Sequence, residues 1–213
     1  TQRVIYLEEG DWVVGSPEGA RVFDRDGREI ARPIQVSNAV AGLVDKGGYR
    51  HFMEKEIHEQ PEAVSRTLSA FIDASSGQFL KTCDHDWAQT RRLLASACGT
   101  ANYALAVAQY WFEGLARLPM EVDIASEFRY RSPVVTDQDA ALFVSQSGET
   151  ADTLAALRHC KAEGARTLGV VNVQTSTIAR EVDQAIFTQA GPEIGVASTK
   201  AFTAQLSALV CLA

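Results

Sequence analysis

The order of hydrophobic and polar positions divides the chain into two parts. Over residues 1–36, short apolar runs such as RVIYLEE, DWVVGS and ARVFDR alternate with turn residues, among them Ser16-Pro17-Glu18-Gly19 and Asp26-Gly27. Short strands joined by tight turns predict a β meander, which is too small to bury a core by itself. Over residues 37–50 the periodicity disappears and small residues accumulate, so we expect a linker there.

From residue 51 to the end, helical stretches alternate with apolar strands. The first helical stretch contains Pro61, which lacks an N–H group and is expected to separate two helices. Five apolar runs follow, each with a helical pattern after it, and the last helix is expected from about Val196; the runs are RLLASACG, PMEVDIA, AALFVSQSG, ARTLGVVN and DQAIFTQAG. This alternation predicts an α/β fold with a five-stranded parallel sheet flanked by helices.

Charge and composition exclude several classes of function. The 213 residues include 20 Lys and Arg against 27 Asp and Glu, which gives a net charge of -7 and a pI near 5.1. A general attraction to nucleic acid is therefore excluded, and any bound anion must be held locally. No apolar run approaches the ~20 residues of a membrane span, and the opening TQRVIYLEEGD lacks a signal peptide's apolar stretch. We expect a cytoplasmic protein that binds neither nucleic acid nor a membrane.

The four cysteines and the ends of the chain carry two further expectations. Cys83, Cys98, Cys160 and Cys211 lack the spacing of a zinc site or a disulfide framework, so reduced and mostly buried thiols are expected. The sequence opens without Met and ends in ALVCLA, where an apolar helical pattern is still running. We therefore expect a fragment of a longer protein.

The most informative polar stretch follows the buried run AALFV and reads Ser145-Gln146-Ser147-Gly148-Glu149-Thr150. At the carboxyl end of a parallel strand, the next helix presents unpaired amides and the positive end of its dipole, which favour an anion. The hydroxyls can donate to phosphate oxygens without adding positive charge. The alternative is that these residues merely cap the helix, with Glu149 favouring its first turn.

Two other segments resemble this turn or could border it. Cys98-Gly99-Thr100-Ala101 also follows a strand and opens a helix, and two such turns can meet over one crevice of an open α/β sheet. A third loop, over residues 191–200, supplies backbone groups, two hydroxyls and Lys200. The sequence leaves Lys200 open, since it fits a helix surface as well as a binding site.

Five segments together resemble one protein family. They are DKGGYRHFMEKEIHEQP, CGTA, EVDIASEFRYR, SQSGETADT and EIGVASTKAFTAQL. In this order and spacing they resemble the isomerising glutamine–fructose-6-phosphate aminotransferases, and the resemblance spans practically the whole chain. SxSGxT alone would indicate only a sugar isomerase (SIS) domain.

The resemblance implies a division of the chain and a function. Residues 1–36 would be the tail of a glutaminase domain, 37–50 a linker and 51–213 the first of two SIS domains. The family transfers ammonia from glutamine to fructose 6-phosphate and isomerises the product to glucosamine 6-phosphate, so fructose 6-phosphate or glucose 6-phosphate is the expected ligand. No cofactor and no metal are expected.

The resemblance also implies roles for particular residues of this chain. Ser145, Gln146, Ser147 and Thr150 would hold the sugar phosphate. Thr100 and the loop of Val196, Ala197 and Ser198 would contact the sugar. The family commonly has a serine after CGT, where this chain has Ala101, so one hydroxyl is absent and affinity is expected to fall by ~1 kcal/mol.

The groups that the family uses for chemistry have no counterpart in these residues, so this chain alone is expected to be inactive. They are the glutaminase cysteine and three residues of the second SIS domain. We expect a homo-oligomer that packs against the missing glutaminase and second SIS domains. Two alternatives remain open: a non-catalytic SIS sensor of sugar phosphates attached to a regulator, and a purely structural assembly piece. A basic DNA-binding segment, which a regulator would carry before residue 37, is absent from the sequence.

Overall fold

The structure, a computed structural model, describes residues 3–17, 19–36, 45–80 and 83–213. It divides into two compact units, Thr1–Asp45 and Lys46–Ala213. Residues 37–44 of the expected linker lie outside the described residues, as does Glu18 of the first predicted turn.

The first unit is built only of short strands, which are β1 Arg3–Ile5, β2 Trp12–Ser16, β3 Gly19–Phe23, β4 Glu29–Ile30 and β5 Ile34–Val36. Strands β2, β3 and β4 form the predicted antiparallel meander, whereas β1 pairs with β5, a pairing that the turn pattern does not predict. Among the described residues of this unit, Val22 is the one buried hydrophobic side chain. The unit thus has little core of its own.

The second unit contains the predicted five-stranded sheet. Its strands are β6 Arg92–Ala97, β7 Met120–Ile124, β8 Asp139–Ser145, β9 Arg166–Val171 and β10 Gln184–Phe187. All neighbours are parallel and the order is β10-β9-β8-β6-β7, so the prediction of a five-stranded parallel sheet is confirmed. Every residue of β8 is buried, because helices cover both of its faces.

Seven α-helices are described in this unit: α1 Phe52–His58, α2 Gln60–Leu68, α3 Gly99–Trp111, α4 Ala125–Phe128, α5 Ala151–Ala162, α6 Thr177–Glu181 and α7 Lys200–Leu212. Helices α3 and α7 pack on one face of the sheet, where Leu142 and Val144 point, and α2 packs on α7. Helices α4, α5 and α6 cover the other face, where Phe143 points. Successive side chains of β8 thus pack alternately into two hydrophobic cores, one on each face of the sheet. None of the described helices combines the length and the apolar character that crossing a membrane requires.

Two predicted helix boundaries have different outcomes. Pro61 lies in the first turn of α2, just after the break at Glu59, so the predicted division into two helices is confirmed. The last helix begins at Lys200, and the expected start near Val196 is wrong. Amides of this stretch, including those of Gly195 and Thr199, donate to carboxylates instead of entering a helix.

The strand order places a crevice between β6 and β8. The chain passes from β6 to β7 on one side, then crosses to β8 on the other side of β6. The connections that leave β6 and β8 therefore diverge at the carboxyl edge of the sheet. In open α/β sheets this reversal of strand order marks the usual position of a ligand.

Candidate functional site

A cavity of about 200 Å³ lies at the carboxyl ends of β6 and β8. Four parts of the second unit contribute to its walls: both strand-to-helix turns, the third loop and α7. The lining residues are Cys98, Thr100, Ala101, Val144, Ser145, Gln146, Ser147, Thr150, Glu193, Ser198 and Gln205.

The structure brings most of the residues singled out from the sequence to this cavity. Six of the eight line it: Thr100, Ser145, Gln146, Ser147, Thr150 and Ser198. Val196 and Ala197 are not among the lining residues, and the Val196 side chain is fully exposed. The two strand-to-helix turns do open on one side of the molecule, as their sequence suggests.

The turn after β8 is held closely against α6. Gly148 has φ +65°, and a Cβ atom at this position would lie 2.0 Å from Ser176 Oγ, so only glycine fits. The Ile178 amide donates to the Gly148 carbonyl at 3.0 Å. The Thr177 amide donates to Glu149 Oε1 at 2.7 Å. Main-chain contacts from the next connection therefore fix the path of this turn.

The hydroxyls of this turn are ordered by one another and by the turn's own amides. Ser145 Oγ accepts the Gly148 amide at 3.0 Å and lies 3.1 Å from Thr150 Oγ1. Ser147 Oγ accepts the Glu149 amide at 3.2 Å. At the N-cap position of α5, the Thr150 side chain makes no capping bond to a described residue. Thr150 therefore does not cap α5 through its side chain, whereas Ser145 and Ser147 accept amides of the turn itself.

The turn after β6 approaches the same point from the neighbouring strand. Gly99 opens α3 with φ +56°, and the Cys98 side chain at the N-cap makes no capping bond within the described part of the chain. Thr153, in the first turn of α5, donates its hydroxyl to Cys98 Sγ at 4.0 Å. The amino termini of α3 and α5 thus lie side by side at the cavity. Their unpaired amides and dipoles both favour a negative group there.

The third loop, residues 191–199, is held by a carboxylate of α1. Glu56 is 2% exposed, and its Oε1 accepts the amides of Ile194 at 2.6 Å and Gly195 at 3.1 Å. A Cβ atom at Gly195 would lie 2.5 Å from Glu56 Oε2. The absence of a side chain at Gly195 therefore lets the carboxylate reach the loop.

A second carboxylate, that of Glu193, joins the same loop to the start of α7. Its Oε1 accepts the amides of Thr199 at 2.8 Å and Ala201 at 3.2 Å. Its Oε2 accepts the hydroxyl of Ser198 at 3.1 Å, which orients this side chain at the cavity wall. Glu193 thus satisfies amides of the first turn of α7 and complements its dipole.

Lys200 follows neither of the alternatives that the sequence left open. It is 3% exposed, so it is not a surface lysine, and it is not among the cavity-lining residues. Its Nζ donates to Glu59 Oε2 at 2.6 Å. Burial raises the pKa of the Glu59 carboxyl, but the hydrogen bond and charge of Lys200, together with Lys55, outweigh this and lower the pKa below its ordinary value. The ion pair joins α7 to the end of α1.

The cavity has an unusual charge balance for an anion site. Among its lining residues Glu193 carries the one formal charge, and that carboxylate is occupied by the loop. An anion would be held by amides, hydroxyls and helix dipoles, without a guanidinium or ammonium group. No group of three His, Cys, Asp or Glu among the described residues could hold a metal ion.

Five lining residues were not predicted as site residues, and two of them, Glu193 and Gln205, carry a carboxylate and a carboxamide. Glu193 lies in the third loop, but nothing in the sequence shows that its carboxylate turns back onto α7. Gln205 lies inside an apolar helical pattern, where its alignment with the cavity depends on the packing of α7. No disulfide joins the four cysteines, all of which lie among the described residues, and burial raises the pKa of Cys160 to about 12. Cys98, which lines the cavity, is half-buried.

Comparisons with known proteins agree with this architecture. The family model of the SIS domain matches residues 87–213. The isomerizing glutamine–fructose-6-phosphate aminotransferase of Brucella abortus biovar 1 (strain 9-941) is 54% identical to this chain over 214 residues. That of Bradyrhizobium diazoefficiens is 55% identical to it over 215 residues. Each match covers 100% of this chain and 35% of the relative, so the chain spans about a third of the length of these curated relatives.

A solved structure is similar as well. The C-terminal domain of glucosamine-fructose-6-phosphate aminotransferase from Francisella tularensis is 46% identical, with a TM-score of 0.75, over 79% of this chain and 48% of that one. The segment that the SIS family model matches, residues 87–213, includes the sheet, both strand-to-helix turns and the third loop. The chain therefore belongs to the SIS domain family.

Proposed function

We propose that this chain binds a sugar phosphate, either fructose 6-phosphate or glucose 6-phosphate, in the cavity between β6 and β8. The convergence of two helix amino termini and five hydroxyl-bearing residues at one cavity carries the proposal; these residues are Thr100, Ser145, Ser147, Thr150 and Ser198. A phosphate dianion matches such a set of donors and dipoles. Similarity to the aminotransferases indicates the sugar to which the phosphate is attached.

The proposed roles divide the cavity into two parts. Ser145, Gln146, Ser147 and Thr150 hold the phosphate, with the amides at the start of α5. Thr100 and Ser198 contact the sugar from the other two segments. Val196 and Ala197 belong to the same loop but are not among the lining residues, so their proposed contact with the sugar rests on the family resemblance alone.

In the full protein we propose that this segment is the sugar-phosphate-binding part of a cytoplasmic aminotransferase that makes glucosamine 6-phosphate from fructose 6-phosphate and glutamine. Residues 1–36 would be the end of its glutaminase domain, and 51–213 the first of two SIS domains in a homo-oligomer. The cavity holds one carboxylate, Glu193, which is bonded to its own loop. The chain by itself is therefore proposed to bind the substrate and not to transform it.

Calorimetry tests the binding directly. Fructose 6-phosphate should bind the 213-residue chain, and unphosphorylated fructose should bind much more weakly. Ser147→Ala should lower the affinity for fructose 6-phosphate several-fold, because a hydroxyl that can donate to the phosphate is lost. Ser69→Ala is the matched control, since Ser69 is exposed and its hydroxyl donates within α2 to the Arg66 carbonyl. Equal heats for the two sugars would contradict the proposal.

A gain of affinity provides an independent test. Ala101 lines the cavity at the start of α3, where a serine would add a hydroxyl donor. Ala101→Ser should strengthen binding of fructose 6-phosphate about fivefold, equivalent to ~1 kcal/mol. It should leave the weak binding of fructose unchanged. Stronger binding of both sugars would place the new hydroxyl away from the phosphate.

A further inference from the structure

Gln205 is a cavity residue with an unusual hydrogen-bonding state. It is 3% exposed and lies on α7. Gln205 is one of the residues that line the cavity, and its Oε1 is itself buried and accepts no hydrogen bond from a described residue. A buried acceptor without a partner loses its hydration and gains no hydrogen bond in return, so this arrangement destabilises the ligand-free fold.

The position of Gln205 distinguishes it from other unpaired polar groups. Buried side-chain atoms without a partner also occur at Ser96, Asn102 and His159 among the described residues, but these three residues do not line the cavity. Gln205 combines an unsatisfied amide with a place in the cavity wall. Rotation of the terminal amide can turn this group toward whatever occupies the cavity.

We propose that Gln205 contacts a hydroxyl group of the bound sugar and selects phosphosugars over simpler phosphates. This inference rests on the proposed function and adds a residue to its site. An unpaired oxygen needs a donor, and the phosphate group of a phosphosugar has none once it is fully ionised. A sugar hydroxyl both donates and accepts, which complements a carboxamide. The terminal torsion of glutamine is broad, so rotation of the amide can turn either its oxygen or its nitrogen toward the ligand.

The surroundings of α7 hold Gln205 in place for this contact. Lys200, the first residue of α7, donates a 2.6 Å hydrogen bond to Glu59. Glu193 accepts amides at the start of the same helix. Ala201, Ala204 and Ala208 are buried on α7, which lets the helix pack closely on its neighbours. A side chain on such a fixed helix loses little further freedom when a ligand binds.

The test compares three ligands with the wild-type chain and with Gln205→Met, which keeps the volume and removes the amide. Affinities for fructose 6-phosphate, glycerol 3-phosphate and inorganic phosphate are measured by calorimetry. Fructose 6-phosphate should bind the variant about tenfold more weakly, whereas inorganic phosphate should be unaffected. The ligand-free variant should be at least as stable as wild type to thermal unfolding, because an unsatisfied polar group has been removed.

Gln109→Met is the matched control. Gln109 lies on α3 outside the cavity and donates to the Met120 carbonyl at 2.7 Å, so its loss should lower stability and leave all three affinities unchanged. If Gln205→Met does not fold, Gln205→Asn replaces it, since a shorter amide should also lose the contact.

Separate outcomes identify which proposal fails. If wild type binds none of the phosphates, the proposed function is wrong and this inference falls with it. If wild type binds fructose 6-phosphate and the Gln205 variant binds it equally well, only this inference is wrong. An equal loss for fructose 6-phosphate and inorganic phosphate also overturns it, because Gln205 would then act through the phosphate-binding turn.

Discussion

Two loops border the cavity, and they are held in place by different means. The turn over residues 145–150 is fixed by close contact with the start of α6 and by two amides of α6, which donate to the Gly148 carbonyl and to the Glu149 carboxylate. The loop over residues 191–199 is fixed by two carboxylates, those of Glu56 and Glu193. Glu56 lies 138 residues before the amide of Ile194 that it accepts.

The two modes of support have different physical consequences. A turn fixed by glycine geometry and close packing has little alternative conformation. Its one carboxylate, Glu149, accepts the Thr177 amide. A loop fixed by carboxylates depends on their ionisation and on the helix that carries them. Substitutions in the first turn should therefore disturb packing, whereas substitutions around the second loop should disturb charge and local order.

The largest effect is expected for Gly148→Ala. The added Cβ would lie 2.0 Å from Ser176 Oγ, and the alanine backbone would have to keep φ +65°. Left-handed strain and overpacking together should reduce the free energy of unfolding by about 4 kcal/mol. Urea denaturation of the chain measures this loss. Gly164→Ala is the control, because its φ of +87° imposes similar strain while the nearest atom lies 3.8 Å away. Equal losses would show that strain alone accounts for the effect.

A second prediction concerns the ion pair at the base of the other loop. Glu59→Gln leaves the buried Lys200 ammonium without its charged partner and should cost about 3 kcal/mol at neutral pH. Because Lys200→Met also removes the unpaired charge, the double variant should recover most of this loss. A double variant less stable than Glu59→Gln would contradict a role for charge here.

The same ion pair should contribute to acid sensitivity. The folded-state pKa of Glu59 lies below its ordinary value of 4.5, so its stabilisation is present above that pH and is lost as the pH falls through the folded pKa. Below pH 4.5, the stability of Glu59→Gln should therefore decline less steeply than that of wild type. Parallel acid profiles would show that Glu59 does not contribute.

The first loop was predictable because its signal is local. A buried apolar run, three hydroxyls, Gly148 and a following helix stand next to one another in the sequence, and the geometry of a parallel sheet places them at one edge. The same reasoning located Thr100 and the five-stranded sheet. The strand order, however, depends on which neighbour each strand selects, and the sequence alone did not specify it.

The second loop was not predictable in the same way. The sequence pattern placed the start of α7 four residues too early. Nothing in the sequence near Val196 indicates that a carboxylate of α1 accepts the amides of Ile194 and Gly195. Lys200 was ambiguous for the same reason, since its partner Glu59 is 141 residues away. Polar contacts across such separations become visible only when the helices are packed.

A third prediction separates the two loops by their dynamics. Glu56→Gln keeps the shape of the side chain but replaces a buried charged acceptor of the Ile194 and Gly195 amides, and should cost about 2 kcal/mol. Hydrogen exchange at these two amides should accelerate, while exchange at the Gly148 amide stays unchanged. Acceleration at all three amides would indicate that the two loops open together.

The smallest effect is expected for Gly195→Ala, the counterpart of Gly148→Ala. Its φ lies outside the left-handed region, and the atom that the new Cβ would meet, at 2.5 Å, is the end of the Glu56 side chain. A carboxylate can shift where the short Ser176 side chain cannot, so the cost should be about 1 kcal/mol. In a Glu56→Ala background that cost should vanish, because the obstructing atom is gone. A loss that persists in that background, or that equals the loss for Gly148→Ala, would mean that the backbone of the second loop is itself rigid and that the carboxylates follow the loop.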